Sequence, residues 1–251
     1  MKIVIIGAGN IAHFFAKRLI LSHHQIVQIY SRTRVHGEEL AAHTGAQLID
    51  NLSELTLDAD VYILAIKDDA VQEIGAQIKL EDKIVIHCAG AVPLSAIQNT
   101  SKHTAVIWSL YSIRKDDLPQ TAEVPLVVES SNDATLQIVL SLAKDISPLV
   151  LQTNFNQRQL LHLNAVLVNN FTNHLFSVAE NICKNNQLPF DFLHPIIFQT
   201  VEQIKNSSPS KSQTGPAIRH DVATIKKHLS LLADQPLKQK MYQAITASIQ
   251  E

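Results

Sequence analysis

The opening of the chain constrains its fold more than any other segment. A β-branched run at residues 3–6 is followed by Gly7 and Gly9, and residues 11–21 then carry apolar side chains at helical spacing. The chain of 251 residues contains only seven glycines, whereas average usage of about 7% predicts about 17. Two glycines between a strand and a helix therefore predict a tight turn in which larger residues do not fit.

This turn fits the pattern Gly-x-Gly-x-x-Ala, with Ala12 as the third small residue. In such a turn the second glycine lets the backbone approach a pyrophosphate, and the small third residue lets the helix pack against the strand. The helix N-terminus adds N–H groups and a favourable dipole for the anion. The sequence therefore predicts that Gly7, Gly9, Asn10 and Ile11 bind a dinucleotide. A turn with no nucleotide and a methyltransferase-type loop are the alternatives.

The end of the predicted second strand indicates which dinucleotide is bound. An NAD site would place Asp or Glu about 20 residues beyond the glycines, where it accepts from the ribose 2′-hydroxyl. Here the chain has Ser31, Arg32 and Thr33, whose hydroxyls and guanidinium are suited to a 2′-phosphate. We therefore predict NADP rather than NAD. In the alternative, Arg32 and Arg34 are solvated charges at the start of a helix.

Two further strand ends are expected to contact the same ligand, because open α/β sheets bind ligands at the carboxyl ends of their strands. Ala65, Ile66 and Lys67 follow one buried strand, and Gly90 follows the next. Gly90 would let the backbone pass beside the nicotinamide. An ordinary turn glycine explains Gly90 equally well.

Strands alternate with helical segments as far as about residue 153, which predicts parallel βαβ units. The fold class is therefore α/β, with a Rossmann-like parallel sheet domain at residues 1–153 and an all-α domain at residues 154–251. The second domain opens with a long helix at residues 156–185 that is apolar on most of its circumference. Such a helix is normally buried, here against a neighbouring domain or a second subunit. Shorter helices are predicted at 192–205, starting at Asp191, at 222–232, capped by Asp221, and at 237–249, with a loop at 206–214.

The bulk composition excludes several classes of protein. A net charge of −2 does not favour binding to nucleic acid through bulk positive charge. No export signal or apolar run of membrane length is apparent, so a cytoplasmic protein is expected. Cys88 and Cys183 lie far apart and are expected to be reduced, and the twelve histidines show no ligand spacing, so no metal site is predicted.

Several of these segments resemble a known group of proteins. The loop Ile-Gly-Ala-Gly-Asn-Ile-Ala, the segment Tyr-Ser-Arg-Thr, residues 60–69 and the segment His-Cys-Ala-Gly resemble pyrroline-5-carboxylate reductase-like and deazaflavin-dependent NADP oxidoreductase-like Rossmann proteins. Residues 162–171 and 214–221 resemble the two signature segments of a bacterial subfamily that adds a helical C-terminal domain of unknown function.

The resemblance covers nearly the whole chain and implies an NADP-dependent oxidoreductase, a homodimer formed through the C-terminal helices, and a cleft between the domains. It does not name a substrate. Two departures from the family pattern put the substrate pocket in doubt. Residues 109–113 read Ser-Leu-Tyr-Ser-Ile where the family has Pro-Leu-x-Thr-Phe, and His220 stands where glycine is common.

Hydride transfer requires orientation of the reactants, exclusion of water and a proton donor. His162 and Asn169 are seven residues apart and so are expected to share a helix face, with His162 as proton donor and Asn169 orienting the substrate. Ser112 and Tyr111 follow the sixth strand and could hydrogen-bond a substrate carbonyl or carboxylate. Satisfied interface groups and an ordinary surface loop are the alternatives.

In the second signature segment, Arg219 is the natural clamp for a carboxylate, and Thr214 could help to close the cleft. The sequence thus predicts an oxidoreductase that transfers a hydride between NADPH and a small carbonyl or imine compound bearing a carboxylate. The alternatives are a non-catalytic NADP-binding sensor or regulatory protein, and a structural dimer with a vestigial site. Related hydroxyacid dehydrogenases carry a catalytic lysine in this long helix. Its absence here favours the sensor.

Overall fold

A computed structural model describes residues 1–251, and all the strands of its first part belong to a single sheet. Its strands are β1 Lys2–Ile6, β2 Gln25–Tyr30, β3 Gln47–Ile49, β4 Val61–Leu64, β5 Ile84–His87, β6 His103–Ser109, β7 Leu126–Ser130 and β8 Val150–Gln152. They form one eight-stranded sheet in the order β3-β2-β1-β4-β5-β6-β7-β8. The helices between them are α1 Asn10–Leu21, α2 Arg34–Thr44, α3 Asp68–Gln77 and α4 Asp133–Ile146.

The sheet is mostly parallel. The expectation of parallel βαβ units holds from β1 to β6 but not for β7, which runs antiparallel to β6 with Trp108 opposite Val127. Residues 110–125, which join β6 to β7, contain no helix. An antiparallel neighbour needs no crossover, and this segment returns the chain along the edge of β6 without one.

The strands are apolar on both faces because helices cover both sides of the sheet. On one side Phe14 and Leu19 of α1 and Val139 of α4 belong to the buried core. On the other side Val71 and Ile74 of α3 belong to a second buried cluster. This burial holds the strand ends, and hence the loops that follow them, in a defined arrangement.

The chain divides into two compact units, Met1–Leu167 and Val168–Glu251. The boundary predicted between residues 153 and 154 falls where the last strand gives way to a helix. The helices from that point are α5 Phe155–Ala165, α6 Thr172–Asn185, α7 His194–Gln203, α8 Val222–Leu231 and α9 Pro236–Gln250. The first of them belongs to the first compact unit and the other four to the second.

The second unit has almost no interior of its own. Ala217 is its only buried residue. Large apolar side chains of this unit, among them Phe192, Leu231 and Leu237, are 86%, 75% and 80% exposed. Secondary structure therefore forms here without the buried apolar core that the sheet possesses.

The long helix forms as expected over residues 156–185, but it is not a uniform α-helix. Between α5 and α6 it passes through a π-helical segment, Val166–Phe171. Its apolar circumference was expected to be buried, yet within the chain only Arg158 of this helix is buried. Leu160 and Leu163 are 60% and 54% exposed.

The remaining differences are local. The helix expected at 192–205 begins as a 3₁₀ turn, Phe190–Leu193, so Asp191 lies inside that turn and does not cap α7. Asp221 does cap α8, since its Oδ1 accepts from the N–H of Thr224 at 3.0 Å. None of the helices combines the length and hydropathy needed to cross a membrane.

Candidate functional site

A cleft of about 430 Å³ lies at the carboxyl ends of β1, β2 and β4, a volume typical of small-molecule sites. Every residue predicted to bind the dinucleotide lines it except Gly90. The predicted residues in its lining are Gly7, Gly9, Asn10, Ile11, Ser31, Arg32, Thr33, Ala65, Ile66 and Lys67. Tyr30, His36, Ala70 and Ile74 also line it and were not foreseen.

The two glycines of the first loop have different roles. Gly7 adopts φ +119°, and a Cβ there would lie 2.2 Å from the carbonyl oxygen of Ala65, so the fold itself requires glycine. Gly9 has an ordinary φ of −91°, and a Cβ there would meet no atom within 4 Å. The packing of the chain therefore does not explain Gly9. Its missing side chain instead keeps the cleft open at the start of α1.

Two of the helices that begin at the cleft have free N-termini. In α1, which follows Gly9, and in α2, which follows Thr33, no side chain caps the first turn and no acidic residue lies in it. By contrast, Asn132 caps α4 and Asn154 caps α5. Unpaired N–H groups and the helix dipole attract anions, so both free termini can bind phosphate groups.

The cationic side chains at the start of α2 are not equivalent. The Nε of Arg34 donates to Oε1 of Glu38 at 2.8 Å, so this guanidinium is already paired. Arg32 is exposed, lines the cleft and forms no hydrogen bond or ion pair within the chain. His36 lines the same end of the cleft. Arg32 is therefore the cation that remains available to an anionic ligand.

Two other predicted side chains are already engaged within the chain. The hydroxyl of Ser31 donates to the carbonyl of Thr33 at 2.9 Å, which shapes the turn before α2. The Oδ1 of Asn10 accepts from the backbone N–H of Lys115 at 3.0 Å. The Nζ of Lys115 also donates to Glu39 at 2.6 Å, and this contact lowers the pKa of the Glu39 carboxyl. The loop after β6 is thereby tied to α1 and α2.

Gly90 does not line the cleft. It is buried, and a Cβ there would lie 2.6 Å from Cε2 of the Trp108 indole. The structure therefore gives Gly90 a packing role, which is to admit the indole ring against the loop after β5. The expectation that it passes beside the nicotinamide stays a prediction.

His162, the predicted proton donor, is half-buried on α5. Its ring centroid lies 5.5 Å from that of Trp108, with the two ring planes at 58°. Trp108 lies near the carboxyl end of β6, which places His162 at the same edge of the sheet as the cleft. Tyr111 and Ser112 follow β6 and are exposed, while Ser109 is buried with its hydroxyl unpaired.

The sequence did not indicate the role of Arg158, because a basic residue in a helix normally faces solvent. Its side chain is fully buried. Nη1 donates to the carbonyls of Ala89, Gly90 and Val92 at 3.0, 2.7 and 2.8 Å. Nε and Nη2 donate to Oε2 of Glu129 at 3.2 and 2.9 Å. The only signal for Arg158 in the sequence was its position one helical turn before His162.

His87, at the end of β5, lies beside this arginine and is completely buried. Its Nδ1 accepts from the N–H of Ala89 at 3.3 Å. Burial, reinforced by the positive charge of Arg158, lowers the pKa of His87 from 6.5 to about 3. The imidazole of His87 is therefore neutral at physiological pH.

Three predicted residues, Asn169, Thr214 and Arg219, belong to the second unit. Asn169 is exposed in the π-helical segment, which interrupts the α-helical spacing used to place it on the face of His162. Such segments are rare and are frequent at functional sites. Thr214 lines a groove of about 270 Å³ within this unit, and Arg219 is exposed. Their roles stay predictions.

Comparisons with known families match both parts of the chain. Residues 2–90 match the family described as NADP oxidoreductase, coenzyme F420-dependent. Residues 124–249 match a domain of unknown function, DUF2520. A comparison with curated proteins finds no match.

Solved structures agree with this assignment. A "putative NADP oxidoreductase" from Bacteroides fragilis is 34% identical, with a TM-score of 0.90 over 99% of this chain and 97% of that one. A protein from Thermotoga maritima is 20% identical, with a TM-score of 0.76 over 98% and 96%. The pyrroline-5-carboxylate reductase of Streptococcus pyogenes shares the fold at 15% identity, with a TM-score of 0.66 over 100% and 98%. The chain therefore belongs to the oxidoreductase family that joins an NADP-oxidoreductase Rossmann domain to a DUF2520 domain.

Proposed function

We propose that this protein transfers a hydride between NADPH and a small carbonyl or imine compound that bears a carboxylate. The observation that carries the proposal is Gly9. The chain itself leaves the space at Gly9 empty, and a bound pyrophosphate accounts for the missing side chain. The free N-termini of α1 and α2 open on the same cleft and supply donors for phosphate groups.

Arg32 supports NADP over NAD. Its guanidinium is unpaired and lies at the end of β2, where the ribose of a dinucleotide is recognised in this fold. His36 adds a second group that can donate to a phosphate, and the N-terminus of α2 adds backbone donors. When bound, NADPH supplies the hydride, and the chain has to orient the reactants and deliver a proton.

His162 is the proposed proton donor. An imidazolium can give a proton to a reduced C=O or C=N group, and histidine is the commonest general acid in enzymes. Its contact with Trp108 holds the ring at the edge of the sheet where the cofactor cleft lies. Ser112 and Tyr111, exposed in the loop after β6, would hydrogen-bond the oxygen atoms of the substrate. The substrate class itself follows the name of pyrroline-5-carboxylate reductase, whose fold this chain shares.

We also propose that the protein forms a homodimer. Phe192, Leu231 and Leu237 are largely exposed in the second unit, together with apolar residues of the long helix. Soluble monomers rarely expose apolar surface on this scale, and extensive apolar patches typically mark interfaces between subunits. A second copy of the chain, docked through the C-terminal helices, would remove this surface from water.

The test compares Arg32→Ala with Arg34→Ala in fluorescence titrations with NADPH and NADH. Loss of a charge-assisted contact costs about 1.5–3 kcal/mol, so Arg32→Ala should weaken NADPH binding by about 10- to 100-fold. NADH, which lacks the 2′-phosphate, should bind with unchanged affinity. Arg34→Ala is the matched control, because its guanidinium already pairs with Glu38, and it should leave both affinities unchanged. Equal losses for the two nucleotides in Arg32→Ala would contradict NADP specificity.

A further inference from the structure

Arg158 is the only buried residue in the protein that carries a permanent charge. Burial of a guanidinium is costly unless the charge is paired and its donors are satisfied. Here every nitrogen is satisfied, since Nη1 donates to three backbone carbonyls and both Nε and Nη2 donate to Glu129. A helix that only needed to pack against the sheet would use an apolar residue at this position. The arginine therefore provides directional contacts that apolar packing cannot.

These contacts join separate parts of the first unit. The carbonyls belong to the loop that follows β5, Glu129 lies on β7, and Arg158 itself lies on α5. The guanidinium also lies over the ring of Phe155, 5.3 Å from its centroid. Backbone carbonyls cannot rotate away as side-chain partners can, so the start of α5 is fixed in position relative to the sheet edge.

The same contacts lead to His162. Residues four apart in an α-helix lie on one face, so Arg158 and His162 face the sheet together. Arg158 holds the carbonyl of Gly90 at 2.7 Å, and Gly90 lies directly against Trp108. Trp108 in turn contacts the ring of His162. Arg158, Gly90, Trp108 and His162 thus form a closed set of contacts between the loop after β5, β6 and α5.

We propose that Arg158 is a positioning residue that holds the imidazole of His162 against Trp108. This rests on the proposed function, in which His162 donates the proton. A lysine cannot replace Arg158, because an ammonium lacks the planar fork that serves three carbonyls and a carboxylate at once. Loss of the fork frees α5 to shift, and His162 then loses its fixed contact with the indole.

The protein contains a single tryptophan, so its emission reports directly on this contact. Protonated imidazole quenches a neighbouring indole, and wild-type emission should therefore fall in a step when acid protonates the imidazole. His162→Gln should abolish the step and so assign it. Arg158→Lys should reduce the amplitude of the step by at least about threefold, because the ammonium cannot hold the loop and the helix together.

Arg18→Lys is the matched control. Arg18 also donates to loop carbonyls, those of Pro119 and Thr121, and lies 5.7 Å from the ring centroid of Phe14, but it has no contact with His162. Its substitution should leave the emission step unchanged. A step of wild-type amplitude and midpoint in Arg158→Lys would overturn the proposal. If Arg158→Lys does not fold, Glu129→Gln takes its place, and an unchanged step in that variant overturns the proposal as well.

The titration needs neither cofactor nor substrate, so it is independent of the proposed chemistry. Full turnover by His162→Gln on an identified substrate would remove the proton-donor role of His162. The emission step alone would then decide whether Arg158 positions the ring.

Discussion

The two compact units of this chain have helices of similar length but very different interiors. In Met1–Leu167 the strands are buried on both faces, whereas Val168–Glu251 buries only Ala217. Removal of apolar surface from water is the main force that stabilises a folded chain. The first unit therefore contains the basis of its own stability, whereas the second leaves most of its large apolar side chains at least partly exposed. Three predictions probe this difference, in order of decreasing effect.

The largest effect is expected at Gly7, in the first unit, where the loop after β1 lies directly against Ala65. A methyl group there clashes with the carbonyl of Ala65, and its φ is unfavourable for any other residue. Gly7→Ala should lower the free energy of unfolding by about 2–4 kcal/mol, measured by urea denaturation.

The matched variant is Gly9→Ala, because a Cβ at that position meets no protein atom. We expect its stability to stay within about 0.5 kcal/mol of wild type, while its NADPH affinity falls. Equal destabilisation by both substitutions would contradict the division of roles between the two glycines.

The second prediction concerns the exposed apolar surface of the second unit. If a second copy covers it, unfolding is coupled to dissociation, and the melting temperature rises with protein concentration. A hundredfold increase in concentration should stabilise the dimer by about 2.7 kcal/mol. Calorimetry at the two concentrations, with sedimentation to establish mass, measures this effect. A melting temperature independent of concentration, together with a monomeric mass, would show that the second unit is stable without a partner.

The third prediction uses the buried histidine of the first unit. The pKa of His87 is lowered to about 3 in the folded chain by burial and by the charge of Arg158, from an ordinary value of 6.5. The unfolded chain therefore binds the proton first as the pH falls. Stability from this group is fully present above pH 6.5 and is lost below it, by up to about 1.4 kcal/mol per pH unit.

Between pH 7 and pH 5 this loss should reach about 2 kcal/mol in urea titrations of the wild-type protein. His87→Asn keeps an acceptor for the N–H of Ala89 but cannot be protonated, so it should remove that part of the pH dependence. His194→Asn in the second unit, where the side chain is 47% exposed, serves as the control and should retain the wild-type slope. If His87→Asn also retains it, the acid sensitivity has another origin.

Local chemistry made much of the cofactor site predictable. The glycine loop, Arg32 and the strand ends at Ala65 and Lys67 each follow from a few neighbouring residues, and all of them line one cleft. Other features depend on distant partners. The contact of Gly90 with the indole of Trp108 is one of them, because Trp108 lies on a different strand.

The features that were missed share one physical cause. Arg158 is indistinguishable in sequence from a solvated helix residue, because its partners come from a loop and a strand far along the chain. The reversal of β7 depends on the path of residues 110–125, which join it to β6 without a helix. The π-helical segment at residues 166–171 has no strong local signature either, so the common face of His162 and Asn169 could not be verified from spacing.

By itself the sequence determined the order of strands and helices, the glycine turn after β1 and the arginine at the end of β2, because backbone geometry and side-chain chemistry at those points act over a few residues. Only the tertiary structure separated Gly7, which the fold needs, from Gly9, where a side chain would meet no protein atom. It also decided that one arginine lies inside the protein and joins the loop after β5 to the helix of His162. Both features depend on which groups are buried together. Burial is set by the packing of the whole chain and not by any local segment.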